Sequence, residues 1–437
     1  MEGGNPNDVI IKINKILAGA KPLLLPSPNA GCIHKVPHEI RKLNEDAYTP
    51  KVVSIGPFHR GNEKLLKMEE HKIMFCRGFI ERSEKMNLES FVSCVQELEP
   101  QVRASYSDEI KLSEEELVMV IFVDSCFILE FLLQIFFAAK FHGPVFLPRR
   151  LVNSIYYDLF LLENQVPFFV LEKLYNLAFP STLSSSGNPT YPSMLLLSLC
   201  ILPETIISVD KLLELCKSGI TGVFHFTDLY RKLILRSSQF FQPSASECSR
   251  EGKVPHLYSA TELNELGVKF KVNEKSKCIL DLELSSFRTL RIPSIKVDDN
   301  TEVVLRNLLA FEQCHCVDEA YLTDYIIFFD FLINTDKDVD LMIKEGIIEN
   351  WLGDSNAVAQ MFNSLGVNIM YPDFNEKYSR IFERLNTFCA RPCVQKFATL
   401  KRDYCNTAWQ AAATFAAIFL LILTVIQTVF AVLQGVH

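Results

Sequence analysis

The chain has 437 residues, of which 49% are hydrophobic and 22% are charged. These proportions exclude a disordered polar tract and a low-complexity fibre, because the chain carries enough apolar side chains to form a core. The formal net charge is −8. Nucleic acid is therefore not an expected partner, since phosphate backbones are bound by clustered basic surfaces. A single core stops growing at about 250–300 residues, so we expect two lobes.

The N-terminal region is predicted to be an arm followed by a helical lobe. Residues 1–30 are rich in Pro, Gly and Asn, which is typical of a flexible arm, and they lack the apolar run and cleavage site of a secretory signal peptide. A first helical lobe is predicted over residues 31–180. Within it, apolar residues recur at helical spacing over residues 61–82 and 88–106.

A long apolar run follows over residues 117–139. Ser113 and Glu116 have the spacing of a capping box, which predicts that a helix begins there. The run is long enough to resemble a membrane span. However, Asp124 and Glu130 lie inside it, and each would cost about 2.5 to 3.5 kcal/mol at the centre of a bilayer. We therefore expect a buried helix of the protein body.

The next helical pattern covers residues 153–177 and is interrupted by Pro167, which lacks an amide donor and should kink or split the helix. Residues 181–192 are rich in Ser, Pro and Gly, so they are predicted to form a linker between the lobes. A second helical lobe is predicted over residues 193–405. Its alternating pattern around residues 268–297 predicts short strands in a small antiparallel sheet. Helical spacing in this lobe covers residues 194–202, 209–216, 302–313, 321–333, 339–345, 355–365 and 378–389.

The sequence from Ala411 to Leu433 contains no charged residue. As a helix with a rise of about 1.5 Å per residue it would be roughly 34 Å long, and the hydrocarbon core of a bilayer is about 30 Å thick. A transmembrane helix is therefore predicted over residues 409–434, with Trp409 at the membrane interface. The alternative is a buried core helix, which would normally carry a polar stripe. The predicted fold class is mainly α: a compact two-lobed helical body with a small antiparallel β insert and one C-terminal transmembrane helix.

The charges beside the predicted span indicate its orientation. Arg391, Lys396, Lys401 and Arg402 precede it and no Lys or Arg follows it, so the positive-inside rule places the body in the cytosol. The 13 cysteines have no disulfide-framework spacing, which agrees with a reducing compartment. A body on the outer cell surface stays open as the alternative, because the charge rule is statistical.

The string from Asp298 to Glu302 is the strongest metal-site candidate. Asp298, Asp299 and Glu302 have the spacing of the acidic clusters that hold Mg²⁺ in helical prenyl-chain enzymes, and Mg²⁺ prefers oxygen ligands. The alternative is structural. These acids lie at the start of a predicted helix, where Asn300 or Thr301 would cap the first turn and the carboxylates would complement the helix dipole. We favour capping, because no second acidic cluster of matching pattern is evident, and we expect no bound metal.

Six polar residues lie within apolar helical patterns and are predicted to form a buried network: Asp124, Glu130, Asp158, Glu163, Asn164 and Gln165. On a straight helix Asp158 and Gln165 would share one face, whereas Glu163 would point away from them. Buried charges need partners. The expected basic partners are Arg41, Lys72, Arg103 and Arg306. We favour ion pairs that fix how the helices dock, and the alternative is a catalytic or ligand-binding pocket.

Four strings resemble the motifs of one plant family: SIGPFH at residues 54–59, FVDSCFILE at 122–130, ENQVPFFVL at 163–171 and RNLLAFEQ at 306–313. With the C-terminal apolar run, they make the chain similar to the plant domain-of-unknown-function 247 family, or uncharacterised protein family 0481, over residues 33–433. The resemblance implies a plant protein with a C-terminal membrane helix. Some members are implicated as pollen-side determinants of self-incompatibility in grasses, which implies recognition or signalling at a membrane and assigns no catalytic residue.

The sequence contains no nucleophile elbow, Walker loop, Rossmann fingerprint or kinase motif set, so no cofactor is expected. Our first hypothesis is a protein without enzymatic activity that is tethered to a lipid bilayer and whose body binds another protein. The alternative is a membrane-anchored enzyme that uses the buried acidic residues, with or without a metal ion. A large apolar pocket that converges on Asp298, Asp299 and other acids, together with a rise in thermal stability on adding divalent ions, would favour the enzyme. Acids that are capped, paired and remote from any cavity would count against it.

Overall fold

The computed structural model describes residues 31–83, 86–141, 147–180, 191–203, 206–207, 209–217, 219–238, 257–276, 278–285, 288–370, 374–404 and 408–435, together with Ile13 and Lys15. This part of the chain is mainly helical, as predicted, with seventeen α-helices and five short strands. The predicted N-terminal arm lies almost wholly outside the described residues.

The first half of the body contains six α-helices: α1 (His38–Arg41), α2 (Leu66–Arg82), α3 (Leu88–Ser105), α4 (Glu114–Phe141), α5 (Arg149–Asp158) and α6 (Phe168–Ala178). Helices α2 and α3 lie where the apolar periodicity predicted them. The predicted capping box begins α4, because the Glu116 amide donates to Ser113 Oγ (3.2 Å) and the Ser113 amide donates to Glu116 Oε2 (2.9 Å).

Helix α4 is the core helix of this half. Helices α2 and α3 contact it, and its Phe127 and Phe131 are fully buried. Asp124 and Glu130 are also buried, and each has a cationic partner. Most of the apolar stretch Glu114–Ala138 is inside the protein. The expectation of a buried helix, and not a span, is therefore confirmed.

The sequence predicted that the helix over residues 153–177 would be kinked or split at Pro167, and it is split: helices α5 and α6 are separated by a connecting loop, residues 159–167, which begins well before the proline. The helix ends earlier because the side-chain amide of Gln165 donates to the carbonyl oxygens of Leu159 (2.7 Å) and Leu161 (2.8 Å). These bonds satisfy carbonyls that a continuous helix would have used. Pro167 directly precedes α6, where its missing amide removes no helical hydrogen bond.

Among the described residues of the second half there are nine α-helices before the C-terminal pair: α7 (Met194–Ser198), α8 (Val209–Lys217), α9 (Phe226–Ser237), α10 (Ala260–Glu265), α11 (Thr301–His315), α12 (Tyr321–Leu332), α13 (Asp336–Lys344), α14 (Ser355–Leu365) and α15 (Glu376–Cys389). Each of the helical patterns predicted for this half corresponds to one of these helices, although the first pattern continues past α7 as a 3-10 turn at Leu199–Ile201.

The β insert is confirmed, but its strand directions are mixed. The strands are β1 (Lys269–Val272), β2 (Glu283–Ser285), β3 (Thr289–Ile292), β4 (Ile295–Val297) and β5 (Ile348–Asn350). Only β2 and β3 pair antiparallel, whereas β1 pairs with β3 in parallel and β4 pairs with β5 in parallel. Parallel neighbours need a long connection. Here β2 and its flanking residues lie between β1 and β3, and α11 to α13 lie between β4 and β5.

One continuous apolar cluster joins the two halves of the body, since it includes Phe79 of α2, Leu162 of the connecting loop and Leu308 of α11. The division into lobes at residues 31–180 and 193–405 stays a prediction. Most of the predicted linker, residues 181–190, lies outside the described part of the chain.

Two helices end the chain: α16 (Pro392–Tyr404) and α17 (Ala408–Gly435). In α17 the stretch Ala412–Ala431 is 20 residues long and strongly apolar, and no part of it is buried in the protein. By length and composition it is able to cross a membrane. Helix α4 passes the same test of length and composition, but α4 is covered by the body.

Candidate functional site

The predicted polar residues surround the opening segment, residues 31–59, which has little regular structure. Four of the six make hydrogen bonds to the backbone of this segment: Asp124, Asp158, Glu163 and Asn164. Since an irregular segment cannot satisfy its own amides as a helix does, buried side chains must supply the partners. The network is therefore the means by which the body holds its opening segment.

Asp158, the last residue of α5, binds three consecutive amides. Its Oδ1 accepts from the Lys51 amide (2.9 Å), and its Oδ2 accepts from the amides of Val52 (2.7 Å) and Val53 (2.9 Å). Burial raises the pKa of Asp158 to about 6, although the three amides favour the ionised form. This carboxylate is therefore an anchor for residues 51–53.

Asn164 binds the backbone of the opening segment beside the residues that Asp158 binds. Its Oδ1 accepts from the Ile55 amide (2.7 Å), and its Nδ2 donates to the carbonyl oxygens of Val53 (3.0 Å) and Asp158 (2.9 Å). The side-chain amide thus has partners for its oxygen and for its nitrogen. Because Asn164 is fully buried, this satisfaction removes the penalty of an unpaired polar group.

Gln165 shapes the connecting loop and does not share a helix face with Asp158, because α5 ends before it. In addition to the two carbonyls of the loop, its Oε1 accepts from the Phe226 amide at the start of α9 (3.2 Å). Its own carbonyl oxygen accepts from the Tyr106 hydroxyl (2.9 Å). Gln165 therefore links the connecting loop to both halves of the body.

Asp124 and Lys72 form a buried ion pair beneath the opening segment. Lys72 Nζ lies 2.5 Å from Asp124 Oδ1 and donates to the Ser54 carbonyl (2.8 Å), and the Gly56 amide donates to Asp124 Oδ2 (2.8 Å). Burial alone would lower the pKa of Lys72, but the carboxylates of Asp124 and Glu69 outweigh it, so the pKa is raised. Lys72 therefore stays protonated, as a buried salt bridge requires.

Glu163 binds the beginning of the opening segment. Its Oε1 accepts from the Val36 amide (2.8 Å) and its Oε2 accepts from Arg41 Nη1 (2.7 Å). His59 Nε2 lies 3.1 Å from the same Oε2, at ion-pair distance but without hydrogen-bond angles. Burial opposes ionisation, but these contacts prevail and lower the pKa of Glu163. The predicted partnership of Arg41 with this network is confirmed.

Glu130 lies apart from the network. It accepts two hydrogen bonds from Arg82 of α2, at 2.9 and 2.7 Å. Two of the expected cations also pair elsewhere: Arg103 binds Glu99, and Arg306 binds Glu302. The prediction that these two arginines belong to the network is therefore wrong. Both pair with an acid one turn away on their own helix, which is the more local contact.

A cavity of about 720 Å³ opens beside α5. Residues of one face of α5 line it, at the three- and four-residue spacing of a helix: Arg149, Arg150, Asn153, Ser154 and Tyr157. Lys51 of the opening segment also contributes a cation, and the acids in the lining are Asp46, Asp158 and Asp299. The charges balance, and Asp158 is already bound to three amides, so the lining selects no single class of ligand.

The acidic string at the start of α11 is mostly occupied by internal contacts. Asp298 Oδ1 accepts from the Asn300 amide (3.1 Å) and from the Thr301 hydroxyl (3.1 Å), while Glu302 accepts from Arg306 Nε (2.7 Å). Asp298 therefore stabilises the turn just before the helix, and the prediction that Asn300 caps the helix is wrong, because its side chain makes no capping bond. Within the described ranges, no three His, Cys, Asp or Glu side chains are grouped so that they could hold a metal ion.

The chain matches the model of the DUF247 family, described as plant proteins of unknown function, over residues 33–423. The chain belongs to this family. It is 30% identical to UPF0481 protein At3g47200 of Arabidopsis thaliana, covering 96% of this chain and 91% of that protein. It is 26% identical to putative UPF0481 protein At3g02645 of the same plant, covering 90% and 89%. No solved structure matches it significantly.

The strings that resembled DUF247 motifs meet in this network. SIGPFH supplies the Ser54 carbonyl and the amides of Ile55 and Gly56, and ENQVPFFVL supplies Glu163, Asn164 and Gln165. In this DUF247 chain, residues of the two strings therefore belong to one hydrogen-bonded network.

Sequence reasoning missed several further buried polar residues, among them Asn307, Arg231 and Glu312. Asn307 of α11 accepts from the Leu162 amide (2.9 Å) and donates to the Ala47 carbonyl (2.8 Å), so it joins the connecting loop to the opening segment. Arg231 of α9 forms a buried ion pair with Glu312 of α11 (2.9 Å). Asn307 and Glu312 both lie in the RNLLAFEQ string, whose apolar surroundings were the signal that could have identified them.

Proposed function

We propose that this DUF247 protein is anchored in a membrane by α17, with its body in the cytosol, and that the body acts without catalysis by binding another protein in recognition or signalling. The observation that carries the proposal is the uncovered apolar stretch Ala412–Ala431. Large side chains such as Phe415 and Leu421 are exposed there to 69% and 67%. Burying each such side chain is worth about 1.5 to 3 kcal/mol, and a bilayer provides that burial.

The cytosolic orientation is supported by charge and by cysteine chemistry. Arg391, Lys396, Lys401 and Arg402 lie on the body side of α17, and such residues are enriched on the cytosolic side of membranes. The ten cysteines whose side chains the structure describes are all free. Free cysteines are ordinary in a reducing compartment and less so outside the cell.

The absence of catalysis is supported by the contacts that the buried acids make within the protein. Asp158 holds three amides, Asp124 holds a lysine and an amide, and Glu163 holds an amide and an arginine. A general base needs a free lone pair within reach of a substrate. Groups that are occupied in this way are suited to holding the fold.

Binding to a second protein would benefit from the anchor. A body held on a membrane surface meets partners held on the same surface at a raised effective concentration, so a weak contact can suffice. This argument supports a partner that is itself membrane-associated.

A membrane-anchored enzyme is the second candidate, because Asp158 and Asp299 both line the cavity beside α5. It would gain support if divalent ions raised the thermal stability of the full-length protein. It loses support if divalent ions do not raise the thermal stability and if the Asp298→Ala and Asp299→Ala variants differ from the wild type only in their stability.

The anchoring test uses full-length protein with an N-terminal tag, expressed in cells from which sealed vesicles are prepared. The matched control ends before Ala408 and so lacks α17. We expect the full-length protein to resist alkaline extraction and its tag to be digested by protease added to the cytosolic side, while the control is released. Extraction of both proteins would refute the anchor, and protection of the tag would refute the orientation. Crosslinking mass spectrometry on the same vesicles would then identify the protein partner.

A further inference from the structure

The two-stranded sheet of β4 and β5 has one face in the core and one face outside it. Its buried side chains are Ile295, Val297 and Ile348. Side chains alternate between the two faces of a strand, so Lys296 and Glu349, which the register places opposite each other, belong to the outer face. Trp351 follows Glu349 by two residues and lies on the same face.

Trp351 is held rigidly although its side chain is 68% exposed. Its amide donates to the Val297 carbonyl (2.8 Å), and the next residue, Leu352, packs against the core. The side-chain oxygen of Asn350 accepts from the amides of Leu352 (2.9 Å) and Gly353 (3.2 Å), which fixes the turn after the tryptophan. A tryptophan that is already ordered loses little entropy on binding, and tryptophan is enriched among the residues that dominate protein interfaces.

The charges around the indole indicate what it binds. Lys296 Nζ lies 4.3 Å from the centroid of the Trp351 ring and 3.4 Å from Asp298 Oδ2, so the charge of this lysine is compensated. Glu349 is exposed and forms no ion pair with a described residue. Residues 345–354 contain three acidic residues and no Lys or Arg. The surface beside the indole therefore has an excess of negative charge, which complements a cationic ligand.

We propose that the outer face of β4 and β5, formed by Lys296, Glu349 and Trp351, is the surface through which the body binds its protein partner. The partner contributes a basic segment, with an arginine that stacks on the indole and pairs with Glu349. Arginine fits better than lysine, because its planar guanidinium group stacks on aromatic rings and binds a carboxylate through two hydrogen bonds. This inference rests on the proposed function, in which the body binds another protein.

The first experiment uses the full-length protein in detergent micelles. The chain has two tryptophans, so Trp409→Phe leaves Trp351 as the only source of tryptophan emission. The probe is a glycine–serine peptide that carries two arginines. Its matched control carries citrulline in place of arginine, which keeps the planar shape and removes the charge. Emission reports contact with Trp351, and fluorescence anisotropy of the labelled peptides gives their affinities.

We expect the arginine peptide to bind and to change the emission of Trp351, and the citrulline peptide to bind about tenfold more weakly. Trp351→Ala should lower the affinity for the arginine peptide about tenfold and Glu349→Gln about threefold. Glu109→Gln removes an exposed acid from the loop between α3 and α4 and should leave the affinity unchanged. This control separates the proposed contact from a general attraction of cations to an acidic protein.

No binding of the arginine peptide, equal affinities for the two peptides or an unchanged emission of Trp351 would overturn the proposal. These outcomes need no change at the proposed surface, so misfolding of a variant cannot produce them. The second experiment repeats the crosslinking on vesicles with Trp351→Ala, which should lower the yield of the crosslinked partner about tenfold. An equal yield of the same partner would overturn the proposed surface and leave the proposed function intact. No crosslinked partner with the wild type would overturn both.

Discussion

A β-carbon at Gly56 would lie 2.5 Å from the carbonyl oxygen of Gln165. The backbone of Gly56 is also in the left-handed region, with φ of +69°, which side chains other than hydrogen rarely tolerate. The opening segment and the connecting loop therefore approach each other so closely that only glycine fits. No displacement of a flexible side chain could relieve the contact, because the facing atom belongs to the backbone.

Gly56→Ala should lower the free energy of unfolding by about 2 to 4 kcal/mol, since a left-handed alanine costs roughly 1 to 2 kcal/mol and the backbone clash adds to it. Denaturant unfolding of the detergent-solubilised protein measures the change. The matched control is Gly61→Ala, where φ is +83° but no atom lies within 4 Å of the added carbon. It should cost about 1 kcal/mol. Equal losses at the two positions would contradict the close approach.

Lys72→Met should destabilise the protein by about 3 to 5 kcal/mol, because it leaves the carboxylate of Asp124 buried without its cation. The same unfolding assay measures the loss. Adding Asp124→Leu to the variant should recover part of the stability, since the unpaired charge is then removed. Arg77→Ala breaks an exposed ion pair with Glu81 and should leave the midpoint almost unchanged. A double variant that is no more stable than Lys72→Met would argue against a buried charge as the cause.

His225 should make the protein less stable as the pH falls. Its Nδ1 accepts from the Asp228 amide (3.3 Å) and its Nε2 lies 3.1 Å from the Cys32 carbonyl oxygen, so the neutral ring satisfies both contacts. Burial lowers the pKa of His225 to about 3, and the nearby His315 and His34 act in the same direction. Between about pH 6.5 and 3 the unfolded state therefore binds the extra proton, and stability decreases by about 1.4 kcal/mol per pH unit from this residue.

The measurement is the free energy of unfolding across that pH range. His225→Asn retains a helix-capping acceptor and cannot bind a proton, so its slope should be shallower than that of the wild type by about one proton. His38→Asn, at an exposed histidine, is the control for the substitution itself. Identical slopes for wild type and His225→Asn would show that His225 is protonated in the folded state.

Asp298→Ala should lower the free energy of unfolding by about 1 kcal/mol, because the Asn300 amide and the Thr301 hydroxyl lose their acceptor. Asp299→Ala is the neighbouring control, since Asp299 is exposed, and it should have little effect. Thermal melts with and without MgCl₂ separate capping from metal binding. A magnesium-dependent rise in the melting temperature that either substitution abolishes would favour the metal site over the cap.

Structural features that depend on contacts between residues close in sequence were predictable from the sequence. The capping box of Ser113 and Glu116 and the apolar run of α4 were recognisable because the contacts lie within a few residues or follow the helical period. The end of α5 was not, because it depends on Gln165, whose amide reaches back to two carbonyls of the connecting loop. The parallel pairing of β4 with β5 was equally hidden, since three helices intervene.

The candidate site was likewise predictable only in part. The burial of Asp124, Asp158, Glu163, Asn164 and Gln165 was predictable, because polar residues in apolar patterns must enter the core. Their partners were harder to predict, since most are backbone amides of the opening segment more than a hundred residues earlier. A backbone amide has no sequence signature. The apolar surroundings of Glu312 could have indicated its burial, but its pairing with Arg231 had no local signal, because the two residues lie on helices far apart in sequence.

Some contacts of the opening segment can form only late in biosynthesis. Asn44 donates to Glu302 and the Ala47 carbonyl accepts from Asn307, so residues near the beginning of the chain bind residues about 260 positions later. A ribosome releases the first residues long before the later ones, and contacts that span such distances form slowly. The Asn44 side chain and the Ala47 carbonyl of a nascent chain therefore stay hydrated until α11 has emerged, although the partners of the amides of the opening segment, such as Asp158 and Asn164, emerge earlier. Truncation products that stop before α11 lack these partners and should be recognised by chaperones and proteases as unfinished.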